Sequence, residues 1–274
     1  MTFRDLHRPG TPFVLANAWD VGSARMLVAL GAQAVATSSA AHAFTRGLPD
    51  GGRLGRSEAI AHAKDIAAHV GVPVSADLED GYGPEPADCG DTVNEAALAG
   101  LAGCSIEDVA PDGSAYTFAA SVARVEAAAA AARRAPHDFV FCARADGVMT
   151  GAYDLDEAIR RLQAFETAGA DVLYCPMPGG MEDLRRIVAA VSAPVNALAA
   201  GPWTRETKAG FAAAGVARIS LGSALARATH RVIRDAGRAI FEDGHFSGLG
   251  GIESDEVNAL LEAGRGEGSD PLSL

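Results

Sequence analysis

Three observations predict a (β/α)8 barrel of the TIM type followed by one further helix. One unit recurs along the chain: an Ala-rich amphipathic helix, a glycine, then a short apolar strand. About eight such strand–helix pairs fill roughly 240 residues, the usual size of a parallel barrel. The alternation also runs evenly, and no Gly-x-Gly-x-x-Gly follows the first strand, which disfavours the alternative of a doubly wound open sheet.

The elements follow in order. A strand is expected at 13–16 and a helix at 24–30, where Gly31 suits a left-handed cap that turns the chain into a strand at 34–37. The same pattern gives helix 59–69, Gly71 and strand 74–76, then helix 95–98, Gly100 or Gly103 and strand 104–106. A helix fits 117–134 and a strand 139–143. Helix 155–167, Gly169 and strand 172–174 repeat the unit, followed by helix 182–191 and strand 195–198. Helix 206–213, Gly215, strand 218–221 and helix 224–241 complete the barrel. Past a Gly-rich connector, residues 254–263 place Val257, Leu260 and Leu261 on one helical face. This divides the chain into a barrel at 1–250 and a C-terminal helix and tail at 251–274, with disorder expected from Gly264 onward. A lone helix beyond a complete barrel must cover its apolar side, on its own barrel or on a neighbouring subunit.

Composition narrows the function. With 49% hydrophobic residues the chain can bury a sizeable core. A net charge of −12 and a pI near 5.0 argue against nucleic acid or anionic membranes as partners. Cys89, Cys104, Cys142 and Cys175 show no C-x-x-C spacing and read as free thiols of a reducing compartment. The N-terminus lacks an apolar signal region, and no apolar stretch is long enough to cross a bilayer, so the expected location is the cytoplasm.

In such a barrel the chemistry lies at the C-terminal ends of the strands. Strand three delivers Asp77, Glu79 and Asp80, strand four Glu107-Asp108, strand five Arg144-Ala145-Asp146, and strand seven Asn196. Like charges this close repel unless solvated or neutralised by a cation. Acids on neighbouring strand ends can share a hard divalent cation, and an arginine beside them can hold a carboxylate in a bidentate contact. The plainer alternatives are helix capping for Glu107-Asp108, a structural salt bridge from Arg144 to Asp146 or Glu107, and a packed thiol for Cys175. His42 falls in the long loop after strand two as a solvent-exposed or lid residue, and His62 and His69 are expected on a helix surface. Tyr82 belongs either to the rim or to the substrate. Only Lys64 and Lys208 occur, both inside outer helices, which disfavours a Schiff-base aldolase. No His cluster with metal-ligand spacing suggests a zinc hydrolase.

The segment Asp77-x-Glu79-Asp80-Gly81-Tyr82-Gly83 resembles the Asp-x-Asp-x-Gly-Tyr-Gly motif of the isocitrate lyase/phosphoenolpyruvate mutase superfamily. Asn17-Ala18, Ser23-Ala24-Arg25, Ser38-Ser39, Glu107-Asp108, Ala143-Arg144 and Gly169-Ala170-Asp171 follow in the matching order, so the resemblance spans about Phe13 to Leu249. It implies a (β/α)8 barrel in homotetramers, or dimers, that exchange a C-terminal helix. It also implies Mg²⁺, with Mn²⁺ as the substitute ion. Asp77 would ligate the metal directly, with Glu79 and Glu107 holding its waters. Ser38, Ser39 and Ala40 would bind a substrate carboxylate, Arg144 would neutralise an oxyanion, and Asp50 would match an active-site aspartate of the loop after strand two.

The departures matter equally. Glu79 replaces the second Asp. The loop from Val109 to Phe118 carries neither the Cys nor the His of the family's lyases, nor the asparagine of its mutase, and Cys175 stands where many members have a histidine. The resulting expectation is a Mg²⁺-dependent enzyme acting on a small 2-oxo or 2-hydroxy carboxylate through a metal-stabilised enolate. Asp50, Glu107 and Arg144 would be catalytic, and Ser38, Ser39, Ala40, Arg144 and Asn196 would bind substrate. C–C cleavage and decarboxylation are favoured within a class that also includes hydrolases and phosphonomutases. The rival is a 2-oxo acid binding protein with weak or no turnover, and a third option is an unrelated barrel with no metal.

Overall fold

Side chains along each inner strand alternate between two environments, and that alternation builds both the core and the site. In the computed structural model, which describes residues 2–266, the elements run as follows. They are β1 (Phe13–Asn17), α1 (Val21–Ala29), β2 (Val35–Ala36), α2 (Ser39–Thr45), α3 (Arg56–His69), β3 (Val74–Asp77), α4 (Pro86–Leu98) and β4 (Gly103–Glu107). Next come α5 (Phe118–Arg133), β5 (Val140–Arg144), α6 (Gly147–Thr150), α7 (Leu155–Ala168), β6 (Val172–Tyr174) and α8 (Met181–Ala190). The chain continues through β7 (Val195–Leu198), α9 (Lys208–Ala213), β8 (Arg218–Ser220), α10 (Ala224–Phe241) and α11 (Ser254–Ala263).

The strands close into a barrel in sequence order, all pairs parallel, with β8 returning to β1 through Phe13↔Arg218 and Leu15↔Ser220. This is the (β/α)8 fold, not the open sheet. Val74, Ala76, Cys104, Ile106, Phe141 and Ala143 face outward and pack with Ile60, Ala63, Leu162 and Phe165 of the helices. Inside, Phe3, Leu6, Phe13, Leu15, Val140 and Val172 plug the lower end. The residues between the outward ones form inward polar columns: Ser75 under Asp77, Ser105 under Glu107, Cys142 under Arg144. Bulky branched side chains usually fill such positions.

Local chemistry explains the element boundaries. Asp20 accepts from the Ser23 N–H at 2.6 Å while the Ser23 hydroxyl accepts from the Asp20 N–H at 3.2 Å, a reciprocal cap on α1. Asp154 caps α7 through the Glu157 N–H at 2.9 Å, and Gly169 ends it at φ 103°. The helix expected at 95–98 starts earlier, at Pro86, because proline suits a first helical position and Asp88 accepts the Glu85 N–H at 2.9 Å. Strand two is shorter than expected: Thr37 turns its hydroxyl to the Asp77 N–H at 3.0 Å, and Ser38 caps α2.

That extra helix corrects the reading of His42. It is buried on α2 rather than exposed in a loop, and its ring stacks on His62 with centroids 3.7 Å apart. His62 in turn is half-buried, bonded through Nε2 to the Trp19 carbonyl at 2.9 Å. Burial and the neighbouring His62 lower the His42 pKa to about 4, so the stack is neutral at physiological pH. Lys64 and Lys208 lie exposed on α3 and α9. No helix among the described residues is long and apolar enough to cross a membrane.

The terminal helix α11 packs on α1 of its own chain. Residues 264–266, expected to be disordered, extend the docking to the end of α3: the Gly266 N–H donates to the His69 carbonyl at 3.3 Å. Residues 267–274 lie outside the described residues. A Cβ on Gly264 would collide with the backbone of Arg25. Because φ at this position is −89°, alanine is tolerated by the backbone and only the contact is tested. Gly264→Ala is therefore expected to accelerate proteolytic clipping between α10 and the C-terminus while the barrel melts near its wild-type temperature; an unchanged clipping rate would refute the contact.

Candidate active site

Strand register places the first pair of charged side chains together. Glu107 pairs with Arg144 across β4 and β5, and Asp77 pairs with Ser105 across β3 and β4. The Arg144 Nη1 lies 2.9 Å from Asp77 Oδ1 and 2.9 Å from Glu107 Oε1. Its Nε and Nη2 grip Asp146 in a two-pronged contact of 3.0 and 2.6 Å. The whole guanidinium fork is thus engaged by three carboxylates. The structural salt bridge considered for Arg144 is present, and it lies inside the expected site.

Asp77 is held from its other side by α2. Its Oδ2 accepts both the Ser39 N–H and the Ser39 hydroxyl, each at 2.9 Å. Ser38 does not reach it; the Ser38 hydroxyl accepts the Ala41 N–H at 3.3 Å as the helix cap. Glu79 follows at φ 46°, an unfavourable left-handed backbone for a non-glycine residue. The bend lets the Glu79 carbonyl accept the Glu107 N–H at 2.7 Å, locking two strand ends together, and its Oε1 accepts the Gly52 N–H at 3.4 Å.

Adjacent acids in the motif serve different ends. Asp80 also borders the cavity, but its carboxylate is bonded to the surrounding chain, accepting the Tyr116 hydroxyl at 2.7 Å and the Tyr82 N–H at 3.0 Å, with its carbonyl taken by Arg124. Asp108 leaves the site: it is buried against Arg161 at 2.8 Å and the Tyr153 hydroxyl at 2.7 Å, and accepts the Asp146 N–H at 2.9 Å. A buried, saturated ion pair of this kind fixes the loop base, since removing one partner would strand the other charge.

These residues border a cavity of about 400 Å³ at the C-terminal ends of the strands. Every site residue expected from the sequence, namely Ser38, Ser39, Ala40, Asp50, Asp77, Glu79, Glu107, Arg144 and Asn196, lines it. Met149 and Thr150 of α6 line it too, unforeseen because a single-turn helix leaves no periodic signature. Tyr82 lines a small recess behind Asp77, beside His42 and His62, and so belongs to the backing of the site. Cys175 is a buried thiol whose pKa is raised by burial. The loop after β4 is a compact hairpin closed by the Val109↔Ala115 bridge, and a Cβ on Gly52 would sit 2.6 Å from Pro111 Cβ, so the hairpin tip abuts the β2 loop.

The cavity is electrically unbalanced. Burial and then the Asp77 charge raise the Glu79 pKa to about 7. Burial also raises Glu107 well above its ordinary value, against the pull of Arg144. At the mouth, desolvation and the Asp77 charge raise Asp50. Buried Asp146 is raised to about 6 despite its arginine. Desolvation opposes the Arg144 charge, but Asp146, Glu107 and Asp77 outweigh it and raise its pKa. More negative charge therefore faces this cavity than Arg144 balances, which is the chemistry of a cation-seeking site.

A family model described as phosphoenolpyruvate phosphomutase matches residues 3–241. The chain belongs to this family, within the isocitrate lyase/phosphoenolpyruvate mutase superfamily. An uncharacterized protein of Mycobacterium tuberculosis is 36% identical over 224 residues, covering 81% of this chain and 82% of the relative. The crystal structure of a putative lyase/mutase from Burkholderia cenocepacia J2315 is 40% identical with a TM-score of 0.89, covering 94% of this chain and 93% of that one. The 2,3-dimethylmalate lyase of Eubacterium barkeri is 34% identical over 181 residues, covering 64% of this chain and 62% of that enzyme. Named relatives in the superfamily include carbon–carbon lyases and a phosphomutase, which supports an enzyme of that broad type. The hairpin over the site of this chain carries neither Cys nor His, and Glu79 stands in its acidic motif.

Glu79 gives a pH test. Its native pKa of about 7 lies above the ordinary 4.5, so its contribution to stability is fully present below about 4.5 and is lost as pH rises through about 7. In metal-free buffer Glu79→Gln should melt above wild type at pH 8, with the gap closing at pH 5; a gap independent of pH would show that Glu79 is not the strained acid.

Proposed function

We propose that the protein is a Mg²⁺-dependent lyase or mutase-type enzyme acting on a small 2-oxo or 2-hydroxy carboxylate, with C–C cleavage or decarboxylation as the favoured reaction. The observation that carries this reading is the convergence of Asp50, Asp77, Glu79 and Glu107 on a cavity they share with Arg144. Among the described residues no three His, Cys, Asp or Glu side chains form a ready cluster for one ion. The donor set nevertheless fits Mg²⁺ (or Mn²⁺), which takes few carboxylates and fills its shell with water and ligand oxygens. Asp77 would hold the ion directly, with Glu79 and Glu107 binding its waters. When bound, that ion supplies Lewis-acid stabilisation of the negative charge that develops as the bond next to the carbonyl breaks.

The chain's own residues do the remaining work. Ser39 and Arg144 hold Asp77 from both sides, so its carboxylate is preorganised. Arg144 keeps its charge at the oxyanion position because Asp146 and Glu107 raise its pKa. Ser38, Ser39 and Ala40 border the cavity where a substrate carboxylate would lie, and Asp50 is placed at the mouth to orient or exchange a proton. The hairpin after β4 offers neither Cys nor His as an acid, which favours chemistry whose proton comes from solvent, decarboxylation among it. The same absence favours the second reading, a 2-oxo acid binding protein with weak or no turnover.

Calorimetry with oxalate and short 2-oxo acids tests the proposal. Binding should require Mg²⁺, vanish with EDTA, and weaken at least a hundredfold in Asp77→Ala; binding indifferent to both would overturn it. Turnover on a panel of 2-oxo and 2-hydroxy dicarboxylates separates the enzyme from the binding protein. A cytoplasmic location and a homo-oligomer, dimer or tetramer, belong to the same proposal; the expected exchange of α11 does not, because α11 packs on α1 of its own chain. Val232, Ile233, Phe241 and Phe246 are exposed on α10 and the connector after it, an apolar strip a second copy would cover. Light scattering should give a mass at least twice the 28.0 kDa chain; a monomer at working concentration would remove that part of the proposal.

A further inference from the structure

Beneath the site lies a cation with no acid beside it. Arg218, on β8 and 3% exposed, borders the floor of the cavity. Its Nε donates to Asn196 Oδ1 at 2.9 Å, its Nη2 to Cys142 Sγ at 3.0 Å, and its Nη1 faces His7 Nε2 at 3.3 Å. All three partners are neutral. His7 Nδ1 faces the Phe3 carbonyl at 3.0 Å, an acceptor, so Nδ1 carries the proton and Nε2 is free to accept from Arg218. Burial and then the Arg218 charge lower the His7 pKa to about 3, so His7 adds no second charge. The thiol of Cys142 is kept protonated by burial. Among the described residues no carboxylate forms an ion pair with Arg218.

The contact with Asn196 has a directional consequence. A guanidinium only donates, so the oxygen of the Asn196 amide must face Arg218. The amide nitrogen is then forced to the opposite side, where it donates one hydrogen to Ser220 Oγ at 2.9 Å. Asn196 thus cannot flip, and its amide nitrogen is held on the side away from Arg218. The hydroxyls of Ser75 and Ser105, at the same depth, line the cavity and make no hydrogen bond within the described residues.

We propose that Arg218 is a positioning residue: it locks Asn196 as a hydrogen-bond donor and, with its own uncompensated charge, makes the inner end of the cavity select a ligand with a second anionic group. The inference rests on the metal-dependent carboxylate reading above and adds to it the residue that sets orientation. A buried charge among neutral partners is costly, and an anion arriving at the inner end offsets that cost.

Malate and 2-hydroxybutyrate provide the probe pair, since they share a four-carbon 2-hydroxy acid skeleton and differ by one terminal carboxylate. In the presence of Mg²⁺, wild-type protein should bind malate roughly tenfold or more tighter, as expected for a charge-assisted contact. Arg218→Met should bring the ratio of the two dissociation constants close to one, and Arg218→Lys, which keeps a donor and a charge, should restore much of it. Asn196→Asp keeps the Arg218 contact but turns the donor into an acceptor; it should depress malate binding more than 2-hydroxybutyrate binding, and it serves if Arg218→Met does not fold. A ratio near one in wild type, or a ratio unchanged in the folded variants while both ligands weaken alike, overturns the role of Arg218 and leaves the functional reading standing. No Mg²⁺-dependent binding of either acid by wild type overturns that reading and this inference together.

Discussion

The Asp77 carboxylate, held between the Ser39 donors at the start of α2 and the guanidinium of Arg144, is the contact on which the site depends. One oxygen is fixed by the helix that follows strand two, the other by the arginine that ends strand five. Three βα units are thereby tied to one side chain. Arg144 in turn is oriented by Asp146, which is fully buried and accepts two of its hydrogens. Such a chain of charge-assisted bonds carries geometric precision that an apolar contact lacks. It also carries a desolvation cost, visible in the raised pKa values of Glu79, Glu107 and Asp146.

The fold was legible because its physical signal is periodic. Inward Ser75 and Asp77 alternate with outward Val74 and Ala76, and glycines such as Gly169 mark the return from helix to strand. Strand ends were legible for the same reason, which brought every expected site residue to one cavity. Apart from the salt bridge from Arg144 to Asp146 or Glu107, the partners of those residues were not legible. The resemblance chose Glu107 over Asp108 for the site, but that Asp108 turns to Arg161 on α7 depends on a partner distant in sequence. Likewise, the bonding of Asp80 to Tyr116 on the hairpin depends on a partner distant in sequence. The helical start at Ser39 was hidden because α2 is short and lies in what composition reads as a loop, and with it the burial of His42 against His62.

Family membership fits the barrel and the acidic motif, and the loop after β4 in this chain carries neither Cys nor His. With no thiol or imidazole on the hairpin, Asp50 is the acid that borders the cavity from the loop after α2. Arg218 adds a contrasting element below, a positive charge at the inner end of a cavity whose opening is negative. A ligand that is itself unevenly charged would be drawn in with one orientation, before any specific contact is made.

The hairpin after β4 has a thermodynamic implication of its own. Its Val109↔Ala115 bridge, the Asp112 turn to Ser114 and the anchoring of Tyr116 on Asp80 are all satisfied within the chain. The entropy of ordering this segment is therefore spent during folding and is not subtracted from ligand affinity. The reverse of that gain is shielding. Bonds already made in the rim leave less to be gained by closing over a bound molecule, so the cavity keeps its contact with water.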